Sequence, residues 1–383
     1  MTESFQPDSE QDKQKQLFES IIAPHPTVIA IEGGPCGGKT TLLNELQAIS
    51  HEHSRPFVLI PEVATKEILK LVKQGTDFVD LALNYDRFIA FETNILHQII
   101  KNINQAKQEH AGTNAIIVVD RSDVKPYLDK KDYQQILTNL ELNLPPIIDL
   151  IDKVVYLPTV ARSAPGVYQQ LMVSNPSRYE NVTDAITTCD RNLQAAIINP
   201  EVSIYSDNDF KTKIDRALFD ILNPEIEIET KFTADDSQHI VDVFEMLNQI
   251  SNRYLNTVEL YQTYHQIEGQ EFRLRHGVVD EEYDFYHMSI KQTLGYANHE
   301  LRRTLNLDEY ELLYSSQHSD PLHKWRSRFL YEFEDRQYIL SLDYYDQLQK
   351  IMIEIEGMDQ LTASRVNIKG FNIGGLSASD LVQ

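Results

Sequence analysis

The chain has 383 residues, a formal net charge of −23 and a hydrophobic fraction of 42%. This length predicts two or three globular domains, and the acidic balance argues against broad non-specific binding to nucleic acid, which depends on basic surface. No apolar run approaches the length of a membrane span, and Cys36 and Cys189 are the only cysteines, so neither a membrane partner nor a disulfide framework is expected. These properties predict a cytoplasmic protein in a reducing environment.

The first 24 residues are predicted to form a polar tail. Residues 1–15 are polar and acidic, and they lack the charged-then-apolar pattern of a signal peptide. Residues 27–32 are a short apolar run that predicts a buried strand, and leucine and isoleucine then recur at helical spacing over Lys39–Ile49. A strand, a short connection and a helix are therefore expected in that order.

The connection between this strand and helix carries a phosphate-binding pattern. Residues 33–40 read Gly-Gly-Pro-Cys-Gly-Gly-Lys-Thr and fit G-x-x-x-x-G-K-[ST]. In this pattern glycines let backbone N–H groups approach phosphate oxygens, the lysine reaches the β- and γ-phosphates, and the hydroxyl ligates Mg²⁺. The helix that follows points its positive end at the anion. ATP or another nucleoside triphosphate is the predicted ligand, with contacts from Gly33, Gly38, Lys39, Thr40 and Thr41, and Lys39 is also predicted to act in catalysis.

Strand-like and helix-like segments alternate along the next part of the chain. This alternation predicts an α/β domain over residues 25–222, with a mostly parallel sheet and helices on both faces. The further strands are predicted at residues 56–61, 114–120, 153–157 and 202–205, and the principal helices at residues 64–73 and 81–108.

Polar residues at the strand ends complete the predicted site, because ligands in such sheets bind at the carboxyl ends of strands. Asp120 ends its strand and is expected to hold Mg²⁺ or its water, and Glu62 is a candidate for the base or for a metal partner. Arg162, Arg178 and Arg191 follow the 153–157 strand in a polar segment. A mobile segment there would deliver arginines to the phosphates.

Three short sequence motifs resemble those of the P-loop nucleoside and nucleotide kinases and their AAA-like ATPase relatives. They are residues 31–41, Pro-Glu-Val-Ala at 61–64 and Val-Asp-Arg-Ser at 119–122. The resemblance covers residues 25–222 and implies an ATP-dependent phosphotransferase or ATPase, with the acid after the second strand near the acceptor and the Asp-Arg pair at the metal and phosphates. The phosphate acceptor is left open.

The chain changes character after Asn223 and Pro224. Strand side chains alternate between faces, so Glu227, Glu229 and Lys231 share one face. Later strands repeat this pattern with Arg273 and Arg275, Lys291, Arg326 and Arg328, Asp343, and Glu354 and Glu356. Acidic pairs fall on the first and last strands and basic pairs, mostly arginine, on the middle ones. A barrel with these faces inward would hold a polyanion on the basic groups and Mg²⁺ or Mn²⁺ on the carboxylates.

The order E-x-E-x-K, basic pairs and a late E-x-E resembles the CYTH superfamily, the triphosphate tunnel metalloenzymes, over residues 224–360. The resemblance implies an antiparallel β-barrel in residues 223–383, ending in a C-terminal tail, and metal-dependent hydrolysis of inorganic triphosphate, a nucleoside triphosphate or an RNA 5′ end. It implies catalytic roles for Glu227, Glu229 and Lys231. Phosphates would be bound by Arg273, Arg275, Lys291, Arg326 and Arg328. Metal ions would be bound by Glu227, Glu229, Asp343, Glu354 and Glu356.

The whole chain is therefore interpreted as a bifunctional phosphate enzyme, with a phosphotransferase or ATPase followed by a triphosphatase. An alternative stays open, in which the first domain is a kinase or ATPase switch and the CYTH domain senses a nucleotide or polyphosphate without turning it over. No protein partner and no oligomeric state are predicted.

Overall fold

The computed structural model describes residues 9–50, 53–73, 75, 81, 83–174, 180–234, 239–294, 297–316 and 318–374. The chain divides into two compact units, which are described separately. The phosphate-loop unit comprises His25–Pro224 and Glu334–Gln337, and the sheet unit comprises Met1–Pro24, Glu225–Phe333 and Tyr338–Gln383. Among the described residues, no helix combines the length and apolar character that a membrane crossing requires.

The phosphate-loop unit contains a five-stranded parallel sheet in the order β2-β3-β1-β4-β5. The strands are β1 (Thr27–Gly33), β2 (Phe57–Ile60), β3 (Ile116–Asp120), β4 (Lys153–Leu157) and β5 (Val202–Ile204). The central strand β1 is buried along residues 28–33, as expected for a parallel strand covered on both faces. The predicted parallel α/β sheet is confirmed.

Helices of this unit follow the predicted alternation, with shifts of a few residues at their ends. The long helix Tyr85–Glu109 begins four residues later than predicted, where the side chain of Asn84 accepts a hydrogen bond from the Arg87 N–H and caps it. The other helices are Lys39–Ile49, Val63–Lys73, Lys130–Asn139, Pro146–Asp149, Val160–Ser163, Pro165–Ser174, Val182–Ala196 and Phe210–Leu222, and Lys125–Tyr127 is a 3₁₀ turn.

The sheet unit contains a ten-stranded antiparallel sheet in the order β15-β7-β14-β13-β12-β8-β9-β10-β11-β6. The first strands are β6 (Ile226–Glu227), β7 (Glu229–Ala234), β8 (Arg253–Ile267), β9 (Gln270–Val279) and β10 (Tyr283–Leu294). The later strands are β11 (Ala297–Leu305), β12 (Leu322–Phe333), β13 (Arg336–Tyr345), β14 (Lys350–Glu356) and β15 (Phe371–Ile373). The helices are Glu10–Ile22, Ile240–Ile250, Leu307–Tyr314 and Gln360–Ala363.

The predicted closure into a barrel is not confirmed. Within the described residues no ladder joins the end strands β15 and β6, so the sheet is open in its hydrogen bonding. The strands β6 and β7 are nevertheless separated by Ile228 alone, and they pair far apart in the strand order, β6 with β11 and β7 with β14.

The N-terminal segment corrects the predicted polar tail. Residues 10–22 form a helix, capped by the side chain of Ser9, which accepts a hydrogen bond from the Asp12 N–H. Phe18 and Ile21 are buried in a cluster with apolar residues of β9, β10 and β11. The apolar face of this helix is short and lies in a polar sequence. The hydrophobic periodicity of residues 1–24 therefore did not predict a helix.

Candidate functional site

The phosphate-binding pattern lies between the central strand β1 and the helix Lys39–Ile49. Gly33 has φ +145° and Gly38 has φ +105°, a region that favours glycine. A Cβ on Gly33 or on Gly37 would lie 2.1 Å or 2.4 Å from the carbonyl oxygen of Leu157 in β4. Because the loop is packed this tightly against the neighbouring strand, residue 33 needs glycine for space as well as for backbone conformation, and residue 37 needs it for space.

Lys39 folds back over this loop. Its Nζ donates a hydrogen bond to the Gly33 carbonyl oxygen at 3.1 Å, and Asn192 Nδ2 donates to the same oxygen at 3.0 Å. Burial lowers the pKa of Lys39, while nearby carboxylates oppose that shift. Asn192 comes from the helix Val182–Ala196, and no local pattern in the sequence marks it. Thr40 is exposed and Thr41 is half-buried in the first helical turn.

Asp120 ends β3 beside β1, where the sequence placed it. Its Oδ1 is buried and has no hydrogen-bond partner among the residues that the structure describes. Burial raises the pKa of Asp120, and the ammonium of Lys39 opposes this shift. A buried carboxylate oxygen without a partner, next to a phosphate loop, has the chemistry of a ligand for a divalent cation.

Arg121 connects Asp120 with Glu62 at this edge of the sheet. It has φ +64°, and its Nη1 lies 3.0 Å from Glu62 Oε1. It also donates a hydrogen bond to the Tyr127 hydroxyl and packs over that ring, 4.5 Å from the centroid. The structure thus brings Glu62, Asp120 and Lys39 to one edge, with an arginine among them that holds Glu62 in an ion pair.

Two buried glutamates near Arg121 were not predicted. Glu32 of β1 accepts hydrogen bonds from the Ser122 N–H at 2.7 Å and from the Ser122 hydroxyl at 2.8 Å. Glu92, on the helix Tyr85–Glu109, is 6% exposed, and burial raises its pKa to about 7 with Arg121 opposing. Only the three-dimensional approach of this helix to β3 reveals Glu92.

The predicted lid arginines are not brought to the loop. Arg162 is exposed and its Nη2 lies 2.7 Å from Asp190 Oδ1, while Arg191 is exposed on the helix Val182–Ala196. In the part of the chain that is described, neither forms a hydrogen bond or ion pair with residues 33–41. Arg178 lies outside the described residues.

The second candidate site is one face of the ten-stranded sheet, which we call the charged face. Glu229 is directly opposite Glu356, and Lys231 is directly opposite Glu354, on β7 and β14. The other face of these strands carries Phe232 and the isoleucines of β14 into a buried apolar core. The charged face carries Glu227, Glu229, Lys231, Gln262, Arg273, Arg275, His287, Lys291, Glu300, Arg302, Lys324, Arg326, Arg328, Asp343, Glu354 and Glu356.

Three carboxylates form a cluster on this face. Glu227, Glu229 and Glu356 each offer one oxygen, and these atoms lie within 4.8 Å of one another. Lys291 Nζ lies 2.5 Å from Glu227 Oε2 and 2.7 Å from Glu229 Oε1. Glu356 has no hydrogen bond or ion pair among the described residues. Burial, followed by the charges of Glu227 and Glu229, raises its pKa to about 8. A carboxylate cluster of this kind fits a divalent cation.

The other two predicted metal ligands of the sheet, Asp343 and Glu354, lie outside this cluster and form ion pairs with basic residues. Arg326 Nε lies 2.7 Å from Asp343 Oδ1, and Arg326 also pairs with Glu354. Lys324, which was not predicted, is 1% exposed and pairs with Asp343. Asp343 and Glu354 therefore serve here as counter-ions of a basic pair. Alternation along β12 placed Lys324 on the same face as Arg326, and that signal was available.

The predicted phosphate-binding arginines differ in their partners. Arg273 Nη2 lies 2.9 Å from Glu300 Oε1, and Arg328 Nε donates to Asn256 Oδ1 at 2.8 Å. Arg275 has no ion pair among the described residues, and its Nε is buried without a hydrogen-bond partner. Lys231 Nζ lies 3.0 Å from Glu229 Oε1.

The fold and the first site define a phosphate-loop domain: a parallel sheet whose central strand passes through a glycine loop into a helix. In agreement, residues 28–193 match the family model described as an AAA domain. No curated protein matches the chain. The CYTH resemblance of residues 224–360 stays a prediction.

Several solved structures are similar to parts of the chain. Thymidylate kinase from Ehrlichia chaffeensis is 16% identical with a TM-score of 0.30, covering 52% of this chain and 98% of its own. A putative adenylyl cyclase from Hippeastrum, described as having a dominant triphosphatase activity, is 15% identical with a TM-score of 0.31, covering 41% and 94%. A putative adenylate cyclase from Bacillus halodurans is 17% identical with a TM-score of 0.26, covering 37% and 86%.

Proposed function

We propose that the chain is a bifunctional phosphate enzyme. Its phosphate-loop unit binds ATP or another nucleoside triphosphate with Mg²⁺ and acts as a phosphotransferase or ATPase. Its sheet unit is a triphosphate tunnel that hydrolyses inorganic triphosphate, a nucleoside triphosphate or an RNA 5′-triphosphate with Mg²⁺ or Mn²⁺.

The first activity is supported by the packing of the loop at Gly33 and by Lys39 held across it. When a nucleotide binds, the Lys39 ammonium exchanges its carbonyl partner for phosphate oxygens, and the N–H groups at the start of the helix Lys39–Ile49 face the anion. Thr40 and Asp120 would hold the cation. Glu62 would lie near the acceptor as the candidate base, and Arg121 would contact the phosphates beside Asp120.

A closed tunnel is the arrangement that best accounts for the charged face. The single residue between β6 and β7 places neighbouring parts of the chain at distant positions in the strand order, which supports closure. Closure would surround a ligand with these charges and remove the sheet edges.

The observation that carries the second activity is the sorting of charge on that face. Glu227, Glu229 and Glu356 form a carboxylate cluster, and Arg275 lies on the same face without a counter-ion among the described residues. The cluster would hold Mg²⁺ or Mn²⁺, which supplies charge neutralisation and activation of water when bound. Arg273, Arg275, Lys291, Arg326 and Arg328 bind and orient the phosphates, and Lys231 positions Glu229.

Phosphate release from a substrate panel tests both activities. The panel contains inorganic triphosphate, ATP, GTP and triphosphorylated RNA, each with Mg²⁺ and with Mn²⁺. Glu229→Gln should abolish triphosphate hydrolysis and leave ATP binding at the loop intact. Lys39→Ala should do the reverse, and Lys70→Ala, an exposed lysine paired with Glu67, is the matched control.

The outcomes distinguish a bifunctional enzyme from a chain whose sheet unit only senses its ligand. No phosphate release from any member of the panel would refute the hydrolase, and triphosphate binding without release would favour the sensing domain instead. If Lys39→Ala left nucleotide binding to the phosphate-loop unit unchanged, the first activity would be wrong.

A further inference from the structure

Three polar residues of the charged face lie side by side on neighbouring strands. Gln262 of β8 is directly opposite Arg275 of β9, and Arg275 is directly opposite His287 of β10. Residues directly opposite each other in an antiparallel pair point to the same face of the sheet. We call these three residues the Gln262 row.

Each member of the row has hydrogen-bonding capacity that the described part of the protein does not use. Gln262 is 1% exposed and its Oε1 is buried without a partner. The Nε of Arg275 is likewise buried without a hydrogen-bond partner among the described residues. His287 is 6% exposed, and its ring has no hydrogen-bond partner among the described residues. Buried polar atoms without partners are uncommon, so Gln262 Oε1 and Arg275 Nε, on neighbouring strands in register with His287, indicate a ligand.

A second buried histidine in the same unit provides a comparison. His265 is 2% exposed on the opposite face of β8. Its Nε2 lies 2.6 Å from Thr263 Oγ1, and its Nδ1 lies 2.9 Å from Ser316 Oγ. Both ring nitrogens of His265 are therefore satisfied by the protein. His287 is buried to a similar extent without such partners, so burial alone does not explain its position.

The surroundings of His287 hold its ring neutral. Burial, followed by the charges of Arg275 and Arg273, lowers the pKa of His287 to about 3. The ring of Phe285 lies beside it, 4.9 Å between centroids. The charged groups that face this part of the sheet are Arg273 and Arg275 of β9, Lys291 of β10, Glu300 and Arg302 of β11, and Arg326 and Glu354, which act electrostatically on Arg275.

A polyphosphate would reverse the local balance of charge. Phosphate oxygens bound to Arg275 and Arg273 would place negative charge beside the imidazole. An opposite charge within hydrogen-bonding distance raises the pKa of a histidine by about 1–3 units. A histidine that is neutral in the free protein then becomes protonated in the complex at moderately acidic pH.

We propose that the Gln262 row is a phosphate subsite in which His287 takes up a proton from solvent when a triphosphate binds at Arg275. The protonated ring donates an N–H to a phosphate oxygen, so His287 is a ligand of the substrate and the amide of Gln262 positions the same phosphate. The proposal rests on the triphosphate site proposed above. It predicts that affinity for triphosphate rises as the pH falls, through one identified residue.

Isothermal titration calorimetry of the full chain with inorganic triphosphate tests this. Each titration is run in two buffers of different ionisation enthalpy, which gives the number of protons taken up, first in EDTA and then with Ca²⁺. At about pH 4.5 the wild type should take up about 0.2 to 0.9 proton more per bound triphosphate than His287→Gln, the range that a pKa raised from about 3 by about 1–3 units gives. His265→Gln is the matched control and should behave as the wild type. The imidazole NMR signal that His287→Gln removes should titrate near this pH only in the complex.

The outcomes distinguish a failure of the His287 proposal from a failure of the proposed triphosphate site. If wild type and His287→Gln bind triphosphate with equal proton uptake, or if the His287 signal titrates identically with and without ligand, the inference is wrong and the triphosphate site stands. If the wild type binds no triphosphate in either condition, the proposed function of the sheet unit is refuted instead.

Discussion

The carboxylate cluster at Glu356 leads to a measurable dependence of stability on pH. Glu356 is directly opposite Glu229 on the neighbouring strand, and like charges in that position are destabilising. In the metal-free protein the raised pKa, about 8, keeps Glu356 protonated where an unfolded chain has already lost that proton. Glu356→Gln replaces the protonated carboxyl by an uncharged group of the same shape.

The magnitude follows from the geometry. Two full charges 4.8 Å apart at an effective dielectric constant of about 20 repel by about 3.5 kcal/mol. A pKa raised from 4.5 to about 8 corresponds to about 5 kcal/mol, an upper limit because solvent reaches Glu356 in part. Between these pH values the folded state binds more protons than the unfolded state, so the free energy of unfolding falls as the pH rises.

Denaturation of the sheet unit in urea measures this effect. The only tryptophan, Trp325, lies in β12, so its fluorescence reports on this unit. In EDTA, between pH 5.5 and 7.5, the wild type should lose up to about 1.4 kcal/mol per pH unit more than Glu356→Gln. Mn²⁺ should cancel this loss in the wild type, because the ion binds the ionised cluster and releases the proton. Glu271→Gln, an exposed glutamate of the same sheet, is the control.

Parallel pH profiles for wild type and Glu356→Gln in EDTA would contradict this prediction. They would mean that Glu356 ionises in the folded protein as it does in the unfolded chain. A metal effect that is equal in the two proteins would show that the ion binds elsewhere.

Three further predictions concern other parts of the chain. Gly33→Ala should destabilise the phosphate-loop unit by about 2 kcal/mol or more in thermal denaturation, because its Cβ would meet a main-chain oxygen of β4. Gly166→Ala is the control, because a Cβ there meets open space. Equal melting temperatures of the two variants would contradict the packing at Gly33. Phe18→Ala should destabilise the sheet unit by about 3 kcal/mol in urea, and no change would mean that the N-terminal helix is not docked. Glu92→Gln should remove a loss of stability between about pH 4.5 and 7, since the buried carboxyl with its pKa near 7 keeps its proton only when folded; an unchanged profile would place Glu92 in water.

Local patterns of the sequence were sufficient for the parts of both sites that contiguous residues build. The phosphate loop is made by neighbouring residues, so residues 33–40 carried its glycines and its lysine together. Alternation along a strand likewise assigned Glu227, Glu229 and Lys231 to one face before the sheet was known. The parallel sheet followed from the order of strands and helices.

Which side chains meet depends on how distant segments pack in three dimensions. Asn192 reaches the loop from a helix far away in the chain, and Glu92 is placed on another helix where the charge of Arg121 acts on it. The register of β7 on β14 puts Glu356 beside Glu229, whereas Asp343 and Glu354 are taken by Arg326. Register between distant strands depends on the packing of the opposite, apolar face and on the turns that join them, and no local pattern contains that information. The sequence therefore determined the chemistry that each element carries, and packing decided which groups are paired and which are left for a ligand.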